Sequence, residues 1–418
     1  MPWRATDRMT AMMERILVPG AIRQFATAMH SAAGTEHHVA SPMGAWLLLA
    51  LIGNAIDGLD RSKVESVLGL SATSAEQLAR ELLDKPHPAL AMATAAWTAP
   101  EWRTDALTTW EKGLPRSTER GPIPTQQEAD EWTRDRTRGL IDRFPLELDR
   151  FTRFVLSTVL ATKVTWLEPF EVADARALWP DGTPPVSRVL RAVPRHHMSI
   201  VATSLGDVAV HAARSADGLM VVSVAAQPEA PPEAVIDVAY RVTEALVSSP
   251  HRLRTRSLFD LPLGESPLWV IKEESVFTPS GREEKYEALL PAWTARTEHD
   301  LLKSDRLGFG PAATAFVKKM GHDPSGVTMK SAQAAVASYG REGFSAGAVS
   351  AFAVAPIGAP LASQAGLRRT ALLRFAGPYA VVAVATDPNW VIGAPIMPSG
   401  GWHGLPLFSA WVTEYTEP

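Results

Sequence analysis

The most constraining feature of this chain is an uncharged stretch near its C-terminus. Gly343 to Gly366 spans 24 residues without one charged side chain and consists mostly of Ala, Gly, Ser, Val and Pro, whereas 21% of the whole chain is charged. Such a segment has too little bulk to build a large core and no charges to hold it in water. Because burying an unpaired charge is costly, a strand that must enter a sheet is kept free of charges. The stretch therefore predicts a segment that is a loop in one state and a buried strand in another.

Two simpler interpretations of the stretch fit the residues less well. A transmembrane helix needs about 20 apolar residues, but Pro356 and Pro360 interrupt this run. A flexible linker is rich in small residues, but Phe344, Phe352 and Ile357 add apolar bulk that a linker does not need.

A third interpretation is a catalytic turn. Residues 343–347 fit the G-x-S-x-G pattern of a hydrolase nucleophile elbow, with Ser345 as the nucleophile. Asp387 and His403 follow in the order Ser, Asp, His. However, two charged residues stand where a buried strand should lead into the elbow, and no His-Gly-Gly-Gly stretch precedes it to form an oxyanion hole. We therefore expect no enzyme activity, and a hydrolase using Ser345 remains an alternative.

Composition bounds the remaining possibilities. The chain has 418 residues, 46% of them hydrophobic, so it can bury a core. The net charge is −4 and the basic residues are dispersed, which argues against a nucleic-acid partner. Without cysteine there is no disulfide and no thiolate metal site. The N-terminus lacks the apolar core of a secretion signal; we expect a cytoplasmic protein with no membrane partner, or a secreted one if the start codon is misassigned.

Two pairs of adjacent histidines raise the question of a metal site. They are His37-His38, which follow Glu36, and His196-His197. Neighbouring residues of a strand point to opposite faces, so adjacent histidines chelate a metal poorly. We predict that these are solvated loop residues, and we expect neither a metal nor another cofactor.

The chain reads as one α+β domain over residues 1–418. Ser41 and Pro42 predict the start of a helix over 43–56, since Ser is a good N-cap and Pro suits the first helical turn. This helix is apolar nearly all round, which predicts burial. Residues 154–166 predict a long central strand, and residues 333–339 predict a strand leading into the uncharged stretch. No clean linker separates these segments.

Three further predictions concern local structure, two of them the boundaries of helices. We expect the helix over 8–32 to break near Pro19-Gly20, and a helix over 74–84 to begin with a capping box at Ser74. Residues 285–320 predict irregular to helical structure.

Six short motifs occur in the same order as in a known family. With them the chain resembles the serpins from about residue 25 to residue 415. The motifs are Ser41-Pro42; Trp132, Thr137, Gly139 and Ile141; Trp166-Leu167-Glu168-Pro169-Phe170; Glu342-Gly343 followed by Ala346, Gly347, Ala348 and Val349; Gly377-Pro378-Tyr379; and Leu407-Phe408 with Val412.

The resemblance implies a serpin-like α+β fold of three β-sheets and eight to nine helices, with an exposed reactive loop at about 341–369. It implies suicide inhibition of a serine protease, so the expected partner of this protein is a serine protease. The protease cleaves the loop, and the loop inserts as a new strand in the main sheet before the acyl-enzyme hydrolyses. Insertion distorts the protease, and the energy comes from completing a sheet that the uncleaved protein leaves incomplete.

The resemblance also assigns site residues. The candidate bait bond is Ile357-Gly358, from the usual distance to the hinge. The alternative is Arg368-Arg369, which suits a trypsin-like protease but can also simply begin the following strand. The implied hinge is Arg341, Glu342, Gly343, Phe344, Ser345, Ala346, Gly347, Ala348 and Val349, and the implied sheet-opening region is Ser41, Pro42, Thr158 and Gln333.

This sequence departs from the family pattern at the hinge and beneath the sheet. Strand alternation puts Phe344, Ala346, Ala348 and Ser350 on one face. The resemblance implies that this face enters the sheet and that the family has Thr or Ser at the position of Phe344, so insertion would overpack the sheet, which commonly costs about 1–3 kcal/mol. Arg341 replaces the usual Glu, while Thr158 and Gln333 replace Asn and His and are candidates to hydrogen-bond each other. These departures motivate an alternative function, a non-inhibitory serpin-fold binding protein.

Overall fold

The fold was examined in a computed structural model, which describes residues 3–278, 280–327, 329–344, 364–394 and 401–418, with side chains from residue 17 onward. Within these ranges the chain forms eight α-helices and nineteen strands. The helices are α1 (Trp3–Ala33), α2 (Pro42–Gly53), α3 (Gly58–Leu68), α4 (Ala72–Asp84), α5 (Asp105–Gly113), α6 (Gln126–Arg136), α7 (Pro232–Ser248) and α8 (Phe309–Lys319).

The strands occupy most of the remaining chain. They are β1 (His38–Ala40), β2 (Leu90–Thr98), β3 (Glu119–Gly121), β4 (Phe154–Thr162), β5 (Val164–Thr165), β6 (Glu171–Asp174), β7 (Arg188–Arg191), β8 (His197–Thr203), β9 (Gly206–Arg214), β10 (Leu219–Ala225), β11 (Gly264–Glu265), β12 (Trp269–Thr278), β13 (Arg282–Leu290), β14 (Trp293–Asp300), β15 (Ala332–Tyr339), β16 (Gly343–Phe344), β17 (Gln364–Arg374), β18 (Tyr379–Ala385) and β19 (Pro406–Val412).

Two of the sheets have six strands each. The first has the order β1-β19-β18-β10-β9-β8, and α7 packs on β18 and β10. The second has the order β11-β12-β17-β13-β7-β6, so β17 lies between two neighbours, antiparallel to β12 and parallel to β13.

The third sheet is divided into two parts. One part has four strands in the order β14-β15-β16-β5, and the other has three strands in the order β3-β2-β4. Only Lys163 separates the end of β4 from the start of β5, so one continuous segment runs through both parts. The three expected sheets are therefore present, and the main one is divided along most of its length.

Helix α2 begins where the sequence predicts. The Ser41 hydroxyl accepts a hydrogen bond from the Gly44 N–H, and Pro42 is the first helical residue. All but one of the twelve residues of α2 are buried, because its apolar surface faces α4, α1, β4 and β19. This helix is the floor on which the divided sheet rests.

The predicted break at Pro19 and the predicted cap at Ser74 were wrong, whereas the prediction for residues 285–320 fails only up to residue 300 and holds beyond it, where the chain forms a short 3-10 helix and α8. Helix α1 runs through Pro19, since Val18, Ile22 and Phe25 are buried on both sides of it and hold the helix together. Helix α4 is capped three residues earlier, by Ser71. Residues 282–300 form β13 and β14, because pairing with β17 and β15 overrides their weak local preference.

Candidate functional site

A cleft runs between β4 and β15. Among the described residues neither strand pairs with the other, and both line a cavity of about 630 Å³. The cleft is closed at one end by β16, which pairs with Tyr339 of β15 on one side and with β5 on the other. The main sheet therefore has a strand-shaped gap, and the first two residues of the uncharged stretch already occupy one end of it.

The cavity is lined mainly by apolar side chains. Its walls are β4 and β15, its floor is the start of α2, and its far end lies against α8 and the segment that follows α6. The apolar lining includes Leu48, Ile52, Ile141, Phe144, Phe154, Leu156, Leu160, Phe309, Phe316 and Met329.

Phe344 fits its position at the end of the cleft. Its side chain is only 3% exposed, and its ring centroid lies 6.3 Å from that of Trp293 in an edge-on arrangement. Tyr339, which stacks on Trp293 with an interplanar angle of 6°, completes the pocket. Phe344 therefore lies in an aromatic pocket at this end of the cleft, and the cost of overpacking on insertion of the loop stays a prediction.

The backbone of the hinge is anchored by the segment that carries Trp166 and Phe170. The Trp166 N–H donates to the Glu342 carbonyl at 3.0 Å, and the Phe170 N–H donates to the Arg341 carbonyl at 3.0 Å. The indole N–H of Trp166 donates to the Gly340 carbonyl at 3.0 Å. The motif over residues 166–170 and the hinge motif, which lie far apart in sequence, are thus in direct contact. Three hydrogen bonds from residues 166–170 hold the backbone of the hinge turn.

The side chains of Arg341 and Glu342, the first two hinge residues, are on the surface. Arg341 and Glu342 form an ion pair at 3.5 Å with both side chains substantially exposed, so the pair contributes little stability. Of the other hinge residues, Gly343 and Phe344 lie in β16, whereas Ser345, Ala346, Gly347, Ala348 and Val349 lie outside the described residues, as do Ile357 and Gly358 of the candidate bait bond.

Thr158 and Gln333 do not hydrogen-bond each other, contrary to one of the possibilities raised by the sequence. The Gln333 amide accepts from the Ser41 N–H at 2.9 Å and donates to the Ser41 carbonyl at 2.8 Å. The Thr158 hydroxyl donates to the Gly44 carbonyl at 3.0 Å. Both walls of the cleft are therefore tied to the first turn of α2 instead, and Pro42 lies within that turn.

Two of the four adjacent histidines are not solvated, whereas His37 is a partly exposed residue of the bend before β1. His38 and His196 are 3% and 8% exposed, and each bonds to a second buried histidine that sequence reasoning missed. His196 Nδ1 lies 3.0 Å from His211 Nε2, and burial lowers the pKa of both rings. The ring of His196 also packs edge-on against Phe170, with centroids 4.6 Å apart, and so supports the segment that anchors the hinge.

Arg368 and Arg369 lie inside β17 rather than in an exposed loop. Arg368 bonds to Glu274 on β12 and Glu283 on β13, at 3.1 and 3.0 Å. Arg369 donates to Glu273 at 2.8 Å, and its side chain is 15% exposed. This position argues against Arg368-Arg369 as the bait bond, since a protease cannot bind a peptide that is hydrogen-bonded to strands on both sides.

Asp387 and His403 do not have the geometry of a catalytic pair. The Asp387 carboxylate lies 3.4 Å from His403 Nδ1, but the backbone N–H of Asp387 donates to the same nitrogen at 3.0 Å, so the neutral ring carries its hydrogen on Nε2 and does not donate to the carboxylate as a triad histidine must. The pair also lies beyond one end of β18. This strand is about 20 Å long at 3.3 Å per residue, so the pair is about that far from Tyr379 at the other end. The described residues therefore give the Ser345 hydrolase no support.

The sequence alone did not identify the aromatic pocket of the hinge. Trp293 and Tyr339 are each 1% exposed, and burial raises the pKa of Tyr339. The one signal for this pocket in the sequence is the motif that contains Trp166 and Phe170. The motif indicates the family resemblance, but its spacing does not indicate that these residues contact the hinge. Within the described part of the chain, no helix is long and apolar enough to cross a membrane.

Comparisons with known proteins agree with this geometry. A family model described as Serpin (serine protease inhibitor) matches residues 21–178, and no curated protein sequence matches the chain. Among solved structures, Serpin48 of the insect Tenebrio molitor is 16% identical, with a TM-score of 0.60, over 97% of this chain and 100% of that one.

Two human proteins show the same likeness. Thyroxine-binding globulin complexed with thyroxine is 14% identical, with a TM-score of 0.62, over 96% of this chain and 100% of that one. Kallistatin is 16% identical, with a TM-score of 0.62, over 97% of this chain and 99% of that one. At these identities the structural likeness shows the fold.

Proposed function

Since the chain belongs to the serpin family, we propose that it inhibits a serine protease by cleavage of its reactive loop and insertion of that loop between β4 and β15. The protein acts as one domain over residues 1–418, with the reactive loop ending before β17 begins at Gln364 and not at residue 369 as the sequence predicted. The observation that carries the proposal is the cleft, which has the form of a missing strand and is already entered by Gly343 and Phe344.

The strand register supports insertion. Phe344 pairs antiparallel with Val164 on one side and with Tyr339 on the other. Continued without a shift, this pairing brings Ser350 opposite Thr158 and Gln333 at once. The one hydroxyl on the entering face thus arrives between the two polar side chains that line the cleft.

The sizes of the loop side chains also match the gap. Residues 345–351 carry nothing larger than valine, and in the continued register Ala348 falls between the buried residues Leu160 and Ala335. Phe352 falls opposite Leu156, which lines the apolar cavity. A small residue thus falls between two buried wall residues, and the next bulky residue falls against the apolar lining of the cavity.

The mechanism is a competition between two rates. Attack of the protease serine on the carbonyl of the bait residue, which we propose is Ile357, releases the Gly358 amine and leaves an acyl ester. Water then frees an active protease, unless the cleaved loop inserts first. Insertion adds hydrogen bonds to both neighbouring strands, each worth about 1 kcal/mol net, and it pulls the tethered protease along the sheet.

A denaturing gel tests the proposal directly. The protein is mixed with serine proteases of different specificity, and each mixture is denatured. We expect a covalent band with the mass of the protease plus the N-terminal fragment, ending at or near Ile357 by mass spectrometry. Protease whose serine has been blocked beforehand gives no such band. Quantitative loop cleavage without any covalent band, for every protease that cuts the loop, contradicts inhibition.

A non-inhibitory binding protein is the second candidate. Arg341 in place of the family's usual Glu, and the fold likeness to thyroxine-binding globulin complexed with thyroxine, favour it. This candidate predicts that the loop is cleaved as an ordinary substrate, without a covalent band and without a change in thermal stability.

A further inference from the structure

A row of buried polar side chains joins α1, β1, β19 and α7. His30 and His38 are each 3% exposed, and His30 Nδ1 lies 2.6 Å from His38 Nε2. His30 Nε2 lies 2.7 Å from the Ser409 hydroxyl, which also accepts from the Tyr240 hydroxyl at 2.9 Å. At the other end, His38 Nδ1 lies 2.7 Å from the Glu36 carbonyl.

One carbonyl fixes every proton in this row. The Glu36 carbonyl only accepts, so His38 Nδ1 carries a hydrogen and the neutral ring accepts at Nε2. His30 Nδ1 must then donate to His38, which leaves His30 Nε2 to accept from Ser409. Ser409 in turn accepts from Tyr240. With both histidines neutral, each hydrogen bond in the row has one donor and one acceptor.

The neutral row resists protonation. One added proton on His38 Nε2 would bury a positive charge and force His30 into its other tautomer, donating from Nε2 to Ser409. With both rings protonated, the hydrogen on His38 Nε2 would point at the hydrogen on His30 Nδ1, and two positive rings would lie side by side in a buried site. Burial lowers the pKa of His30, and it lowers the pKa of His38 to about 4. The titratable groups that face the pair are His37 beside β1, His299 on β14 and Tyr240 on α7. Among the described residues no carboxylate hydrogen-bonds to either ring.

Strand β1 connects this row to the cleft. The Val39 carbonyl lies 2.8 Å from His299 Nε2, and the Val39 N–H donates to the Thr297 hydroxyl at 3.1 Å, both on β14. Ser41, two residues further on, holds the Gln333 amide on β15 through its backbone. The position of β1 therefore determines how firmly one wall of the cleft is held.

We propose that His30 and His38 form an acid-sensitive latch, which holds β1 against β14 and β15 when both rings are neutral and releases β1 and the Gln333 contact when the pair is protonated. This inference does not depend on protease inhibition, because the latch and its contacts lie outside the reactive loop.

The sign of the effect follows from proton uptake. Unfolded histidine takes up a proton near pH 6.5, whereas the folded rings resist it, so the unfolded state binds more protons below that pH. The unfolding equilibrium constant therefore rises about tenfold per pH unit for each neutral histidine. For His38 this rise continues from about pH 6.5 down to about pH 4.

The test is His30→Gln, measured by urea unfolding between pH 7.5 and pH 5. The Gln side chain has a donor for His38 and an acceptor for Ser409, but it does not titrate. Below pH 6.5 we expect its unfolding constant to rise up to about tenfold less per pH unit than that of the unchanged protein. His251→Gln, at an exposed histidine, should keep the full dependence. The other buried histidines, including His196 and His211, contribute equally to all three proteins.

Hydrogen exchange tests the local part of the proposal. After correction for the intrinsic rate, the amides of Val39 and Ser41 should exchange faster at pH 5 than at pH 7.5, and His30→Gln should remove most of this difference. An unchanged pH dependence in His30→Gln overturns the latch. If that variant does not fold, nitrogen NMR of the unchanged protein decides. Both rings neutral with hydrogen on Nδ1 at pH 6 support the proposal, and a protonated His30 or His38 at that pH refutes it.

Discussion

With Ala348→Glu we expect the loop to be cleaved at its normal rate while almost no covalent complex forms. The continued register places this side chain on the face that enters the sheet, between Leu160 and Ala335, which are 7% and 2% exposed. An unpaired carboxylate at such a position costs about 3 kcal/mol or more. A barrier raised by that amount slows insertion roughly a hundredfold. Hydrolysis of the acyl-enzyme is then faster than insertion of the loop.

The matched control is Ser345→Glu. The same register puts residue 345 on the other face, opposite Lys163, which is exposed. A carboxylate there stays in water beside a positive charge, so covalent complex should form nearly as well as with the unchanged protein. The measurement is the ratio of complex to cleaved product on a denaturing gel. Equal ratios for the two variants would show that the entering face was assigned wrongly.

Gly343→Ala should expel the hinge from the end of the cleft. A Cβ atom at this position would lie 2.1 Å from the Val164 carbonyl oxygen and 3.1 Å from the Thr165 Cα, both backbone atoms that cannot move aside. The strain is relieved when β16 leaves the sheet, which exposes Phe344 at a cost of about 2 kcal/mol. We expect a loss of about 2–3 kcal/mol in the free energy of unfolding and altered fluorescence of Trp293.

Gly340→Ala serves as the control for this prediction. It makes the same substitution in the same turn, but a Cβ atom there has nothing within 4 Å. Its stability should remain within about 0.5 kcal/mol of the unchanged protein. Urea unfolding of the three proteins makes the comparison. If Gly343→Ala is as stable as Gly340→Ala, then Gly343 and Phe344 are not seated between β15 and β5.

The sequence predicted the local elements of the cleft well because their signals are local. The cap at Ser41, the alternation of residues 333–339 and the apolar run after Phe154 all depend on near neighbours. The division of the main sheet was not predictable, since it depends on which distant strands fail to pair. For the same reason nothing in the sequence indicated that β12 would pair with β17 and that its glutamates would bind the alternative bait residues.

The contacts of the polar residues were the least predictable part. Thr158 and Gln333 both line the cleft, but their hydrogen-bond partners are backbone groups at the start of α2, which any sequence can provide. His38 appeared solvated because His30, its partner, lies on a different element. Whether a polar side chain is buried depends on its distant partner, and spacing in one sequence does not reveal that partner.

The most direct test of the central claim is the melting temperature before and after loop cleavage. The loop is cut by limited proteolysis, and mass spectrometry confirms a single cut within residues 352–363. If the freed strand enters the cleft, about eight residues gain hydrogen bonds on two sides, and we predict a rise of about 10 °C or more. A clipped protein that melts at the temperature of the intact one would contradict insertion between β4 and β15.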